Sequence, residues 1–223
     1  MPYNCYPSFC ITYNLTVATG PRLPAPAGSA QERGRSTRYK IIEQTARLCT
    51  ERQGAEPSVA EIAATAGVFP NQVTYYFGSK DSLLVHAAFL GLLHDAEGIE
   101  SVGFAASDAA TFRTDIARAV LALPSLPSVA RALAAGISRP GLAPVVHKHL
   151  DLLFRQSERY LRRLARERGW SLDRTPAAEA RTFWSAALGA VLLARAGAAD
   201  SVVNLDLAGT LTIRAGDSGG EAP

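Results

Sequence analysis

Apolar residues recur at three- and four-residue intervals from Ser36 onward, so the chain reads as a succession of helices. Ile41, Thr45 and Leu48 form one row and Ile42, Ala46 and Cys49 another, predicting a first helix capped near Ser36, running to about Arg52 and stopped by Gly54. Ser58 and Glu61 have the spacing of a capping box, in which hydroxyl and carboxylate each satisfy an orphan backbone N–H. Val59, Ile62, Ala63 and Ala66 then make the buried face of a short helix that Gly67 ends. Pro70 opens the next, which reaches about Phe77 and closes at Gly78; Ser79 caps a fourth carrying Leu83, Leu84, Ala87, Ala88 and Leu92. Further helices are predicted over about 108–122, 128–137, 143–168, 176–197 and 204–213, with breaks at Pro124 and Pro127, Pro140-Gly141, Gly169 and Gly197. Alternating β-branched residues occur only around Thr210 to Ile213, too short a run for a sheet. The pattern predicts an all-α fold.

Composition adds little to this picture. With 48% hydrophobic and 19% charged residues, most of the 223-residue chain should fold around a core, while the Pro/Gly/Ala-rich residues 19–32 read as unstructured linker. A net charge of +3 permits an anionic partner without demanding one. Cys5, Cys10 and Cys49 show neither C-x-x-C nor histidine spacing, so no metal, cofactor or disulfide framework is expected, and Cys49 reads as a small buried apolar residue. No basic residue precedes Arg22, and Thr12, Tyr13, Asn14 and Thr16 interrupt the apolar run from Phe9 to Ala18. The first thirty residues therefore read as a disordered leader, from a start codon placed too far upstream, rather than a secretory signal. The richest apolar window, Ala186 to Ala199, contains Arg195, so no membrane contact and a cytoplasmic location are expected.

Two short helices joined by a turn of a few residues, the first capped and Ala-rich, the second polar and aromatic, make a helix-turn-helix. Ala63, Ala64 and Ala66 are small enough for close packing, Gly67 permits the turn, and Val68 seals its inside. In the second helix Val73 and Phe77 point inward, leaving Asn71, Gln72, Thr74 and Tyr75 outside with Tyr76 at the edge. Amide and hydroxyl groups on so short a face suit a helix entering the major groove of double-stranded DNA.

The stretch Ser58 to Leu84, SVAEIAATAGVFPNQVTYYFGSKDSLL, resembles the DNA-binding signature of the TetR/AcrR family of repressors. The resemblance implies an N-terminal helix-turn-helix DNA-binding domain followed by a C-terminal helical ligand-binding and dimerisation bundle. It sets the divisions at 1–32 (leader), 33–84 (DNA-binding), 85–215 (ligand-binding and dimerisation) and 216–223 (disordered tail). It also implies that Gln72, Tyr75 and Tyr76 touch bases or phosphates, that Lys80 grips a phosphate, that Ser58 faces the backbone, and that Asn71 and Thr74 match contacting positions. This sequence departs from the signature at Phe69, where a capping Ser or Thr is typical, at Thr74, where an aromatic is common, and at Tyr76, where a His is common. These departures bear on the operator sequence more than on DNA binding.

Arg33, Arg35, Arg38 and Lys40 form a basic lead-in, and Arg38 is expected to add phosphate or minor-groove contacts from a flexible arm. The most basic stretch lies elsewhere. Arg155, Arg159, Arg162 and Arg166 line one side of a helix opposite the stripe Val146, Leu150, Leu153, Ser157, Tyr160 and Leu164, and read as a solvated face.

In the family resembled, the C-terminal helices form a ligand cavity and a dimer interface. The helix starting at Thr175-Pro176 carries Phe183, Trp184, Ala187, Leu188, Val191 and Leu192 with Ala186, Gly189 and Ala190 between them. With a last helix over Leu205 to Ile213 it could form the four-helix seam of a homodimer on a palindromic operator, or bury itself within one subunit. Phe89, His94, Phe104, Phe112, His147, Phe154 and Trp184 are candidates to line the cavity for an unidentified small-molecule effector, although residues of these types are more often simple core than ligand contacts. The function expected is a sequence-specific transcriptional regulator, a repressor released by a ligand. Two rivals stand beside it. One is an enzyme, disfavoured because no G-x-S-x-G, H-E-x-x-H or phosphate-cradling glycine loop occurs and His147 and His149 project to different sides of a helix. The other is a helical ligand-binding or interaction protein whose helix-turn-helix no longer reads DNA.

Overall fold

The computed structural model describes residues 30–52, 55–198 and 206–216. The chain divides into two units, residues 1–36 and 37–223; the described part of the first is the opening of helix α1. Eight α-helices occur among the described residues: α1 (Ala30–Glu51), α2 (Val59–Ala66), α3 (Pro70–Phe77), α4 (Lys80–Ala105), α5 (Ala109–Leu121), α6 (Leu126–Ser138), α7 (Ala143–Arg168) and α8 (Pro176–Arg195).

Local chemistry sets most boundaries. Ser58 and Glu61 close the capping box on α2, with Glu61 N–H donating to Ser58 Oγ at 3.2 Å and Ser58 N–H to Glu61 Oε2 at 2.8 Å. Gly67 ends α2 at φ 63°, a left-handed conformation that costs a glycine little, and the amide of Val68 bonds back to Ala63 O at 2.9 Å. Ser79, Asp108 and Thr175 cap α4, α5 and α8 through side-chain oxygens that accept backbone N–H groups.

Two apolar cores share α4. Ile41, Ile42, Leu48, Ile62, Val73 and Phe77 pack with Leu83, Ala87 and Leu90 of α4 in the first. In the second, Val85, Phe89 and Leu92 of α4 meet Phe112, Val129, Leu153, Leu164, Phe183, Trp184 and Ile213. Successive faces of one helix thus enter different cores. On α7, Val146, Leu153 and Leu164 are buried while Arg155, Arg159, Arg162 and Arg166 are exposed, the solvated face expected from the sequence.

Three expectations are corrected. Helix α1 begins at Ala30, within the stretch read as leader and linker, so Arg33, Arg35 and Arg38 lie on a helix and not in a flexible arm. The residues ahead of Ser36 are good helix formers apart from Gly34, and nothing in Ser36 obliges the helix to start there. Gly54, the expected stop, and residues 1–29 and 217–223 lie outside the described residues. The helix expected over 204–213 is absent where it is described: Ala208–Thr210 form a single 3₁₀ turn, and Arg214–Ala215 pair antiparallel with Trp170–Ser171.

A long-range anchor explains that last departure. Glu179, 0% exposed on the first turns of α8, accepts from Arg174 Nε at 2.9 Å, from the backbone N–H of Thr212 at 3.0 Å and from the Thr212 hydroxyl. Arg174 also donates to Thr182 Oγ1 at 3.1 Å and to the carbonyl of Thr210. The Thr212 amide, which a helix would spend on its own turn, is thereby held by a carboxylate 33 residues away.

Candidate nucleic-acid interface

Helix α3 presents two faces. Val73 and Phe77 are buried at 0% and 8% exposure, whereas Asn71, Thr74 and Tyr75 are exposed and Gln72 and Tyr76 are half-buried. Tyr75 stands 81% exposed and meets Tyr76 edge-on, ring centroids 5.1 Å apart; Tyr76 in turn packs on the first core. Ser58, at the start of α2, is exposed with its Oγ engaged as an acceptor, which leaves the hydroxyl proton free to donate outward. Lys80, on the first turn of α4, holds its ammonium 3.1 Å from Glu56 Oε2. Arg52 and the Ser58 amide together hold the Glu61 carboxyl down at about 2, the arginine contact being the larger cause.

The start of α3 shows how the chain copes without a capping hydroxyl. Phe69 has no side-chain acceptor to offer the Gln72 N–H, which bonds the Phe69 carbonyl at 2.9 Å instead; the amide oxygen of Gln72 separately accepts the Phe69 N–H at 3.0 Å, and Pro70 sits where the helix needs no donor. Phe69 itself is 77% exposed. The sequence pattern exposed only the missing cap at this position, not the side chain's prominence.

Arg38 turns inward. Its guanidinium lies 5.1 Å from the centre of the Phe77 ring, and Nη2 is 3.1 Å from His86 Nε2. His86 Nδ1 is 2.9 Å from His149 Nε2 on α7, and the His149 ring stacks on Phe89 at 4.9 Å and 7°. Because a guanidinium only donates, His86 Nε2 must accept. His86 therefore carries its proton on Nδ1 and donates to His149 Nε2. Burial is the main cause holding both imidazoles low, His86 at about 3 and His149 at about 4; the neighbouring charges of Arg38 and Lys148 push the same way. This chain of contacts links the end of α3 to α7, and it was invisible in the sequence because its members lie 48 and 63 residues apart.

The residues expected to line an effector cavity do not converge on one. Phe112 (0% exposed) and Trp184 (5%) are core, the indole donating to Ser157 Oγ at 2.7 Å. Phe104 and Phe154 lie half-buried beneath Arg163 and Arg181. His94 and His147 are exposed, the latter 3.5 Å from Asp151. Phe89 borders a void of only about 10 Å³. A larger cleft, about 110 Å³, opens between α1, α4 and α6, lined by Cys49, Glu56, Asp81, Leu84, Arg131 and Arg139 among others, and holds none of the seven. Cys49 is buried there, and desolvation raises its thiol. No group of three or more potential metal-ligating side chains occurs among the described residues. Among them, too, no single helix is long and apolar enough to cross a membrane; α5 and α6, bent by 70° at their junction, reach that length and apolarity only together, and their apolar residues Phe112, Ile116, Val120 and Val129 are core.

Comparison with known proteins agrees with this arrangement. Residues 41–87 match the family of bacterial regulatory proteins of the tetR type, and residues 109–212 match a bacterial transcriptional repressor C-terminal domain. A transcriptional regulator from Rhodococcus sp. RHA1 of known structure is 28% identical, aligned over 78% of this chain and 95% of that one with a TM-score of 0.60. A TetR-family regulator from Pectobacterium atrosepticum shares the fold at 20% identity, over 80% and 92% of the two chains, with a TM-score of 0.56. Another from Mesorhizobium loti does so at 16% identity, over 79% and 94%, with a TM-score of 0.53. None of the curated proteins matches. With a capped helix-turn-helix over 58–78, a helical bundle behind it and both halves matched to the same family, the chain belongs to the TetR family and is a DNA-binding transcriptional regulator.

Proposed function

We propose that the protein is a cytoplasmic, non-enzymatic repressor that binds a palindromic operator as a homodimer and is released by a small-molecule effector. The observation that carries the DNA-reading part is the division of α3, Val73 and Phe77 inside and Asn71, Thr74 and Tyr75 outside, with Lys80 beside them. On this reading residues 33–84 form the DNA-binding domain and 85–215 the effector and dimer domain. Gln72, Asn71, Thr74, Tyr75 and Tyr76 enter or border the major groove, while Ser58 and Lys80 meet phosphates. Dimerisation is supported by the physics of readout, since one eight-residue helix spans few base pairs and a two-fold axis doubles the sequence read. Effector release follows as linkage: a ligand that prefers the arrangement with misplaced recognition helices lowers operator affinity by the ratio of its affinities for the two states.

Retardation of the intergenic DNA beside its own gene, measured with wild type, Tyr75→Ala and Lys80→Ala, tests the reading. Each substitution should weaken binding, Lys80→Ala by removing about one phosphate contact per subunit, two per dimer, a slope change of ~1.8. Equal retardation by all three proteins would remove the assignment of this face.

A further inference from the structure

We infer that Phe69 and Gln72 set the base preference of the operator: Phe69 reads a thymine through its C5-methyl group, and Gln72 reads with its amide N–H donors alone. The inference rests on the reading of α3 as the DNA-reading helix and goes further by assigning chemistry to two positions at its start.

Phe69 occupies the N-cap position, in extended backbone at φ −79° and ψ 146°. Its ring is 77% exposed; with Tyr75 at 81% it is one of two large aromatic side chains left in solvent on this element, one at each end of α3. Inside the fold the ring does little, since the core beneath α3 is filled by Val73 and Phe77 and the start of the helix is satisfied by Gln72 and Pro70. A phenyl ring carries no hydrogen-bonding group, so it gains nothing from phosphates or from the polar edges of bases. In the major groove one base edge, that of thymine, offers a methyl group. The N-terminal end of a recognition helix is the part that points at base edges, and Phe69 stands there.

Gln72 is constrained by the same cap. The Phe69 N–H at 3.0 Å can bond only an acceptor, which fixes the amide with Oε1 toward the backbone and Nε2 outward. The familiar pairing of glutamine with adenine needs both atoms, the oxygen accepting from N6 and the nitrogen donating to N7. With its oxygen turned to the helix start, where one of its two lone pairs is taken, Gln72 faces the groove with its donors, and adjacent acceptors satisfy them best: guanine O6 and N7. The capping role and the base preference are therefore one property.

The test uses the full chain. Sequences bound by wild-type protein are selected from a random DNA pool, and each thymine of the best site is then replaced in turn by deoxyuridine, which keeps pairing and removes only the methyl group. One thymine in each half-site should weaken wild-type binding about fourfold when demethylated, the worth of one buried methyl group. Phe69→Ala, whose melting temperature should match wild type because the ring is exposed, should bind both duplexes equally. Guanine should dominate the neighbouring selected position, and Gln72→Ala should flatten that preference. A wild type indifferent to every demethylation, or a Phe69→Ala protein that keeps the discrimination, overturns the role of Phe69. A selected adenine at the Gln72 position whose replacement by purine weakens binding overturns that of Gln72. A pool from which nothing is enriched defeats the DNA reading itself and this inference with it, whereas enrichment without a methyl effect leaves that reading standing and removes this one.

Discussion

His86 Nδ1 lies 2.9 Å from His149 Nε2, and this contact joins α4 to α7 while Arg38 joins the same imidazole to α1. The order of donors is forced along the chain: guanidinium to His86, His86 to His149. Each link is part-buried, so removing one member leaves a buried donor or acceptor unsatisfied, at a cost of about 1–3 kcal/mol. His149→Leu should lower the urea midpoint accordingly. Because the two histidines share one bond, His86→Phe/His149→Leu should cost less than the sum of the single changes, by at least ~0.5 kcal/mol. Additive single and double variants would show that the bond contributes nothing.

The same pair predicts a pH window. Both imidazoles titrate well below the ordinary histidine value of about 6.5. In the window below that value the unfolded chain takes up protons that the folded chain refuses, so stability is full above about pH 6.5 and falls as pH drops toward the folded values near 4 and 3. Glu61 and Asp108, each held at about 2, lose their stabilisation on acidification too, but only below the ordinary carboxylate range. The melting temperature should therefore already decline between pH 6.5 and 5, and His86→Phe/His149→Leu should flatten that limb while leaving the steeper loss below pH 4.5. A double variant with an unchanged slope between pH 6.5 and 5 would refute the assignment.

Lys80 and Glu56 make a prediction of the opposite sign. On the proposed reading the ammonium that should meet a phosphate lies 3.1 Å from a carboxylate in the free protein. DNA must displace that contact or tolerate a negative charge beside its own. The pair is substantially exposed and worth little to the fold. Glu56→Gln should thus leave the melting temperature within about 1 °C while raising DNA affinity at low salt several-fold, and the gain should shrink at high salt. Unchanged affinity at every salt concentration would mean that Lys80 is not a DNA contact.

What the sequence revealed was what nearest neighbours decide. The box at Ser58 and Glu61, the turn at Gly67, the opening at Pro70 and the cap at Ser79 all act within four residues, so each boundary could be read from the residues that make it. The inward pair Val73 and Phe77 followed from helical spacing alone. What stayed hidden has the opposite character. Leu207 and Leu211 are four apart and both buried, which mimics a helix face, but Ile213 is buried too and Glu179 captures the Thr212 amide from a distance no local window covers. Phe112 and Trp184 are core while His94 and His147 are exposed, a difference that residue type does not show and packing does. Gln72, placed on the outer face by helical spacing, also accepts the Phe69 N–H, a bond that spacing does not single out.

Glu179 offers the sharpest test of how the C-terminal segment is held. Its carboxylate is fully buried and serves Arg174, the Thr212 amide and the Thr212 hydroxyl at once. Removing one side of a buried, hydrogen-bonded ion pair strands the other, and costs about 3–5 kcal/mol. Arg174 is 36% exposed and can turn to water, which places Glu179→Ala near the lower figure. Glu179→Gln retains an oxygen acceptor and should lose less, about 1–2 kcal/mol. The loss should also be local. Amides of residues 207–216 should exchange faster in both variants while those in the middle of α8 keep their protection, because α8 is held by Phe183, Trp184 and Leu188 in the second core and not by this anchor. Uniform deprotection of the whole bundle would mean that Glu179 supports the core itself; an unchanged urea midpoint for Glu179→Ala would mean that the buried ion pair only breaks even with its desolvation.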